Sequence, residues 1–204
     1  MNNLKDIKEV MNYSLLDKYD IEDFEGRRLY INDIIDNQIV DGIVYHILRY
    51  NREDKGIPVE ERKPIILYVN SNGGSVPDGY ALIDVIMTSK TPVYTVNQGY
   101  CYSMGFLIFL AGLKRFSMLS STFLMHDGST MGWDSTAKMK DRMDFETNQV
   151  EKHTKNYILS RTAIDEKLYD EKYRMEWYMY PEEAKQYGIC THIVGKDCDI
   201  DEII

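Results

Sequence analysis

Three short segments of the sequence carry residue types that can perform acyl transfer. Gly73 and Gly74, Ser103 and His126 each lie at the end of an apolar run. Glycines let backbone N–H groups approach a ligand closely. A serine hydroxyl becomes a nucleophile when a neighbouring base, often an imidazole, removes its proton. These residue types together predict an acyl-transfer site in which His126 accepts the Ser103 proton while Ser103 Oγ attacks a carbonyl.

The same segments offer donors for the oxyanion that such a reaction forms. Met104 begins a predicted helix, and the first N–H groups of a helix have no intrahelical partner. Gly74 leaves its own amide accessible. We therefore expect the amides of Gly74 and Met104 to stabilise the developing negative charge. The loss of one such donor in an enzyme typically costs about 3–4 kcal/mol of transition-state stabilisation.

His126 is favoured as the base by elimination. Of the four histidines, His46 falls in an amphipathic helix, His153 on an exposed charged helix, and His192 in a short late strand. Ordinary structural explanations stay open beside the catalytic one. A Gly-Gly pair is also typical of a turn, a serine that leads a helix is commonly an N-cap, and a histidine at a strand end can be a plain polar residue.

The elements that would position these residues alternate between strands and helices. Continuous apolar runs predict buried strands at 65–70 and 92–97, and the segments between and after them predict helices at 78–89 and 104–111. We expect Gln98-Gly99 to turn the chain after the second strand. This order indicates an α/β fold with a parallel sheet, in which ligands collect outside the carboxyl ends of the strands.

Each end of this core carries a distinct segment. Residues 1–26 are polar and acidic with little periodicity, which indicates an N-terminal arm before a domain that spans 27–204. From Asp134 a charged helix of about 25 residues, roughly 135–160, has only a narrow apolar stripe. A helix this polar needs a partner along its stripe, either the domain itself or another subunit.

The composition excludes several classes of protein. The 204 residues carry a net charge of −9, which disfavours nucleic acid as a partner because phosphate binding depends on clustered Lys and Arg. The sequence has no run of 18 apolar residues for a membrane span and no apolar stretch typical of a signal peptide. Its three cysteines are too few and wrongly spaced for a disulfide framework or a zinc site. We therefore expect a cytoplasmic protein without a metal or a cofactor.

Four segments, taken in order, give the sequence a family resemblance. They resemble signature segments of the proteolytic subunit of Clp protease, a serine peptidase of the ClpP/crotonase fold. The resemblance runs from about Arg27 to Val194 and depends on the four segments as a set. The segments are NSNGGSV (residues 70–76), GYCYSMGFLIFLAG (99–112), STFLMHD (121–127) and PEEAKQYGI (181–189).

The resemblance implies a serine endopeptidase that forms a homo-oligomer of two stacked heptameric rings around a chamber. It also implies a AAA+ unfoldase as the partner that feeds unfolded polypeptides into that chamber with ATP. By position, Ser103 resembles the nucleophile, His126 the general base, and Gly74 with Met104 the oxyanion donors. The long helix would be the handle of the family, which meshes between the two rings.

The third member of the catalytic triad is not matched in this sequence. In an ungapped alignment the family's aspartate falls on Lys172, and a shift of one residue brings Glu171 to that position. Both residues are candidates. Without an orienting acid the imidazolium loses its partner, which can lower the rate about 10⁴-fold. A weakly active subunit is therefore also expected.

Three alternative functions stay open. A crotonase-like enzyme would use two backbone amides to hold a thioester enolate and does not need Ser103 and His126 together. A non-catalytic subunit would keep the fold and the assembly but would not cleave peptides. A serine–lysine peptidase would use Lys172 as its base. A fluorophosphonate separates the crotonase-like enzyme from a serine peptidase, because the reagent labels only an activated serine.

Overall fold

The computed structural model describes residues 15–128 and 134–204 and has α/β architecture. The strands are β1 (Arg28–Ile31), β2 (Ile65–Ser71), β3 (Val93–Tyr102), β4 (Lys114–Ser117), β5 (Thr122–Met125), β6 (Trp177–Met179) and β7 (His192–Ile193). The helices are α1 (Leu15–Gly26), α2 (Asn37–Glu53), α3 (Val76–Thr88), α4 (Met104–Leu110), α5 (Thr136–Phe145), α6 (Glu151–Arg161), α7 (Glu166–Lys172) and α8 (Pro181–Gln186). Short 3₁₀ turns occur at Val59–Glu61 and Ile200–Glu202, and a π-helical turn at Glu146–Val150.

The sheet is mostly parallel, as the alternating sequence pattern predicts. Its central path has the strand order β1-β2-β3-β4-β7, with every neighbouring pair parallel. Strand β5 pairs in parallel with the far end of β3, and β6 pairs antiparallel with β5. The continuous apolar run of β2 is buried along nearly its whole length, because helices or chain cover both faces of a parallel sheet. The predicted α/β fold is confirmed.

The predicted turn at Gln98-Gly99 is wrong, because β3 continues through both residues to Tyr102. Two asparagine side chains bind the backbone at the point where the strand changes partner. Asn97 Oδ1 accepts a hydrogen bond from the Gly99 amide at 3.2 Å, and Asn70 Oδ1 accepts one from the Tyr100 amide at 3.3 Å. The strand pairs with β4 before this point and with β5 after it. The register between β2 and β3 also shifts here, between the pairs Val69–Asn97 and Ser71–Cys101, and the strand continues through the glycine.

Two apolar layers cover the sheet. On one face, α2, α3 and α4 contribute the larger core, in which the periodic side chains of α2 (Val40, Ile43 and Ile47) are buried. On the other face a smaller cluster includes Tyr68 and Phe116. The helix α4 lies in the larger core and is buried at every position, so it provides a rigid base for the residue that precedes it.

The helix α5, the π-helical turn and α6 form one helical segment over residues 136–161. This segment coincides with the predicted long helix of 135–160. Every residue of α5 is exposed, whereas α6 buries Ile158 against the domain. The narrow apolar stripe is therefore covered by the domain in the second half of the segment, and it is open in the first half.

The predicted N-terminal arm, residues 1–26, is described only in its second part. That part is the helix α1, which the weak periodicity of the sequence did not predict; residues 1–14 lie outside the described residues. The division into an arm and a domain at 27–204 stays a prediction. Within the described ranges, no helix combines the length and apolar character needed to cross a lipid bilayer.

Candidate active site

Ser103 occupies a strained turn between β3 and α4. Its φ of 52° and ψ of −121° lie in a region that residues with a Cβ rarely adopt, and such a conformation costs on the order of 1–3 kcal/mol. Its neighbours hold the turn on both sides. The Ser103 amide donates to the Leu124 carbonyl at 3.1 Å, and its carbonyl accepts from the Phe106 amide at 3.0 Å.

The side chain of Ser103 does not act as the N-cap that helix-leading serines usually provide. Its Oγ accepts no capping hydrogen bond from the amides of α4, among the residues that the structure describes. Ser103 instead lines a cavity of about 130 Å³. Backbone strain at a residue whose side chain faces a cavity is typical of functional sites.

The Gly73-Gly74 pair packs directly against this turn. A Cβ on Gly73, whose φ is 101°, would lie 2.7 Å from Ser103 Cβ and 2.9 Å from the Met104 nitrogen. A Cβ on Gly74 would overlap the carbonyl oxygen of Ile35. The pair therefore does more than turn the chain: Gly73 lets the loop approach Ser103, and Gly74 lets it approach the backbone of Ile35.

The amide of Gly74 points away from the chain on which the loop rests. The loop forms a parallel bridge in which the Gly73 carbonyl accepts from the Ile35 amide and the Ser75 amide donates to the Ile35 carbonyl, each at 2.8 Å. In a parallel pairing the residue between two such bonds directs its own N–H to the opposite side. Met104 is the first residue of α4, so its amide also has no partner four residues earlier.

The pairing of β3 with β5 brings His126 to the cavity that Ser103 lines. Tyr102 lies opposite Leu124, so the residues that follow the two strands emerge at the same edge of the sheet. His126 is partly buried and lines the same cavity as Ser103. The imidazole has no hydrogen-bond partner among residues 15–128 and 134–204.

The other three histidines lie away from this cavity. His46 packs against the ring of Phe24, with 4.3 Å between centroids. His153 contacts Tyr80, and His192 stacks on Phe116 in the smaller core. Of the four histidines, His126 is the one that lines the cavity with Ser103; its role as the base stays a prediction.

The long helix forms the wall of the cavity opposite the strand ends. Two hydrogen bonds fix its second half against the domain: the Tyr80 and Thr154 hydroxyls are 2.7 Å apart, and the Tyr157 hydroxyl donates to the Leu107 carbonyl at 3.0 Å. Apolar groups provide much of the lining. The lining residues are Val76, Ser103, Met104, Phe106, Leu107, Met125, His126, Gly128, Glu146, Val150, Glu151, Thr154, Ile158 and Tyr173.

The two candidates for a third catalytic residue are not brought to the cavity. Lys172 Nζ lies 4.0 Å from a Glu171 carboxylate oxygen and 5.8 Å from the centroid of the Trp177 ring. Neither Glu171 nor Lys172 belongs to the described residues that line the cavity. The next residue, Tyr173, does line it.

Tyr173 brings a neutral phenol hydroxyl to this cavity rather than a carboxylate. Burial, followed by the negative charges of Glu151 and Asp127, raises the pKa of Tyr173 to about 12. Its hydroxyl is therefore protonated at neutral pH. Sequence alignment placed the family's acidic position one residue earlier, and the turn that follows α7 decides which side chain faces the cavity.

Two carboxylates in the cavity were missed by the sequence analysis. Glu146 and Glu151 are five residues apart and would lie about 140° apart around a regular α-helix. The π-helical turn, in which the Glu151 amide donates to the Glu146 carbonyl, stacks such residues on one face. The signal available from the sequence was a glutamate pair at this spacing, which gains meaning only when the turn is known.

The described residues offer no metal centre: no group of three or more His, Cys, Asp or Glu side chains in the described ranges is arranged to hold an ion. Cys101, two residues before Ser103, is fully buried, and burial raises the pKa of its thiol well above the usual value. A thiol in that state is a poor nucleophile. The groups that can react in this site are therefore the Ser103 hydroxyl and the His126 imidazole.

Comparison with known proteins agrees with the fold. Residues 17–197 match the model of the family described as Clp protease. The chain is 28% identical over 178 residues to ATP-dependent Clp protease proteolytic subunit 2 of Treponema pallidum (strain Nichols), covering 86% of each chain. It is 31% identical over 181 residues to ATP-dependent Clp protease proteolytic subunit 1 of Bacillus cereus (strain ATCC 10987 / NRS 248), covering 84% of this chain and 86% of the relative. With a match that spans most of its length, the chain belongs to the Clp protease family.

Proposed function

We propose that the protein is a serine endopeptidase, the proteolytic subunit of an ATP-dependent Clp-type protease. The single observation that carries this proposal is that Ser103 and His126 line one cavity at the carboxyl edge of the sheet. The strained turn at Ser103 and the close packing of Gly73 against it support the same proposal. An ordinary structural serine needs neither feature.

In the proposed reaction His126 removes the Ser103 proton as Oγ attacks the carbonyl carbon of a peptide bond. The amides of Gly74 and Met104 donate hydrogen bonds to the oxyanion of the tetrahedral intermediate. His126 then protonates the leaving amine, and water hydrolyses the acyl-enzyme by the reverse sequence of proton transfers. No step requires a metal or a cofactor.

The missing acid affects the rate of this reaction rather than its course. Because neither Glu171 nor Lys172 lines the cavity, His126 lacks the orienting carboxylate at the position where the family has it. A subunit with reduced activity is therefore the second candidate function. Lys172 is also poorly placed to act as a general base, because its ammonium lies over the Trp177 ring.

The proposed assembly is a homo-oligomer of two stacked heptameric rings that receives unfolded polypeptides from a AAA+ unfoldase in the cytoplasm. The exposed first half of the long helix supports the assembly part of this proposal. Its apolar side chains Met139, Met143 and Phe145 lie open in one protomer. A neighbouring subunit that covered them would remove this apolar area from water.

Peptide cleavage by the Ser103→Ala variant tests the proposed function. We expect the substitution to abolish cleavage of a fluorogenic peptide while the size of the assembly is unchanged. The matched control is Ser120→Ala, because Ser120 is exposed, lies in the turn between β4 and β5, and does not line the cavity. Cleavage that survives in Ser103→Ala at the rate of the control would rule out Ser103 as the nucleophile.

A further inference from the structure

The cavity beside Ser103 combines apolar walls with two carboxylates. Phe106, Leu107 and Met125 form part of its wall near the strand ends, and Glu146 and Glu151 face it from the long helix. Both glutamates are partly buried. A cavity of this composition differs from a purely apolar pocket, because partly buried negative charge is unfavourable unless a partner balances it.

These carboxylates have no side-chain partner among the residues that the structure describes. Neither Glu146 nor Glu151 forms an ion pair or a hydrogen bond with another side chain in the described parts of the chain. The nearby Lys155 is paired instead with Glu166, at 3.0 Å, and with Asp170, at 2.7 Å. Within the described ranges no ion pair balances this charge, so a group that enters the cavity from outside can balance it.

The charges that act on Tyr173 are consistent with this excess of carboxylates, although the positive charge of Arg174 opposes them. Tyr173 lines the same cavity, and after burial the strongest causes of its raised pKa are the charges of Glu151 and Asp127. Raising the pKa of a tyrosine by carboxylates means that its anion is disfavoured there. A cation at the same place is correspondingly favoured.

We propose that this cavity binds the basic side chain, lysine or arginine, of the substrate residue whose carbonyl Ser103 attacks. The inference rests on the proposed peptidase function and names its substrate class. The methylene groups of a basic side chain pack on Phe106 and Leu107, while its charged end reaches the two glutamates. Glu146 and Glu151 are thus specificity-determining residues, and the chemistry remains with Ser103 and His126.

The π-helical turn is what makes this pocket possible. It places Glu146 and Glu151 on one face of the helix, with Val150 beside them on the cavity wall. Two carboxylates on one face can both contact a guanidinium or share an ammonium. A regular α-helix would direct one of the two away from the cavity.

Binding to a chain that cannot react separates this inference from the proposed reaction. We would measure the affinity of the Ser103→Ala variant, by fluorescence anisotropy, for short alanine peptides that end in one variable residue. The variable residue is lysine, norleucine, which keeps the lysine stem without its ammonium, or glutamate. We expect the lysine peptide to bind at least about tenfold more tightly than the norleucine peptide, and the glutamate peptide to bind most weakly.

Charge-neutral variants of the two glutamates identify the source of this preference. In Glu146→Gln with Glu151→Gln, the ratio of lysine to norleucine affinity should fall to about one. The matched control, Glu60→Gln with Glu61→Gln, makes the same change at two exposed residues outside the cavity and should keep the ratio. If the double variant does not fold, the two single variants should each reduce the ratio, and added salt should reduce it in the parent.

Two results would overturn the inference: equal or tighter binding of the norleucine peptide, or a lysine preference that survives in Glu146→Gln with Glu151→Gln. The proposed function fails by a different result, the absence of cleavage and of serine labelling in the unmodified chain. Because the binding preference is measured without the reaction, either proposal can fail while the other stands.

Discussion

The turn at Ser103 and the first half of the long helix differ in how completely one protomer packs them. Every residue of α4 is buried. The carbonyls at the end of α4 are satisfied by Arg161, whose guanidinium donates to Leu110 at 2.9 Å and to Gly112 at 2.8 Å. In α5, by contrast, Met143 is 62% exposed and Phe145 is 60% exposed.

The difference in packing indicates that the two regions serve different purposes, one the reaction and the other the association of subunits. The residues that would react are held by contacts within one chain, whereas α5 has apolar side chains that another surface must cover. Substitutions near Ser103 should therefore change folding or activity in the isolated protomer. Substitutions in α5 should change the association of subunits and leave the fold of each one intact.

The largest expected effect is on folding stability. Phe109 is fully buried and its ring lies 5.0 Å from that of Phe123, so Phe109→Ala should lower the free energy of unfolding by about 3–5 kcal/mol. Met143→Ala should change it by no more than about 0.5 kcal/mol. Urea unfolding of both variants under dissociating conditions measures these free energies. Equal losses of stability in the two variants would contradict the difference in packing between the two regions.

The next largest effect concerns the geometry of the nucleophile. In Gly73→Ala the new methyl group would meet Ser103 Cβ at 2.7 Å, and a displacement of this kind can cost about a hundredfold in rate. Gly56→Ala provides the control, because Gly56 has a similar φ of 96° and open space around it. The two variants are compared by their rates of fluorophosphonate labelling; a rate in Gly73→Ala as high as in the control would show that the loop does not restrain Ser103.

We expect substitutions in α5 to have little effect on the fold and a measurable effect on the size of the assembly. Met143→Glu with Phe145→Glu places charge on the exposed apolar stripe, which should weaken association between subunits because like charges would be buried together. Light scattering should report smaller particles, and circular dichroism should report an unchanged fold. Asp141→Asn, also exposed on α5, should leave the particle size as it is. A double variant that assembles normally would place the interface elsewhere.

The smallest effect is a pH dependence remote from both regions. Asp54 is buried, with Oδ2 2.7 Å from both the Arg27 guanidinium and the Thr91 hydroxyl. The hydrogen bond from Arg27 is the largest cause that lowers the pKa of Asp54. Because the folded pKa lies below the unfolded value of about 3.9, the stabilisation is present above that value and is lost as the pH falls through the folded pKa. Asp54→Asn should remove this acid dependence of the melting temperature; a variant that still follows the parent curve would contradict it.

The sequence predicted the parts of the site that lie next to regular elements. Ser103 and His126 each adjoin an apolar run, so the strand–helix pattern was enough to place them at one edge of a parallel sheet. The pattern failed where side chains determine the backbone path. The backbone at Gln98-Gly99 is held by the side chains of Asn70 and Asn97, and such contacts cannot be read from apolar periodicity.

The side of the cavity that the long helix forms was not predicted either, because it also depends on a local departure from regular structure. Helical periodicity assigns Glu146 and Glu151 to different faces, and only the π-helical turn brings them together. The path of the chain after α7 likewise places Tyr173 at the cavity instead of Glu171 or Lys172. The three-residue strand β6 was missed because a segment that short, Trp177–Met179, carries too few positions to establish alternation.

Labelling with a fluorophosphonate, followed by mass spectrometry of the peptides, tests the central claim most directly. We expect one adduct, on Ser103, that disappears in His126→Ala, because the hydroxyl reacts only when the imidazole accepts its proton. An assembled protein in which Ser103 stays unmodified, or in which labelling is indifferent to His126, would contradict the account.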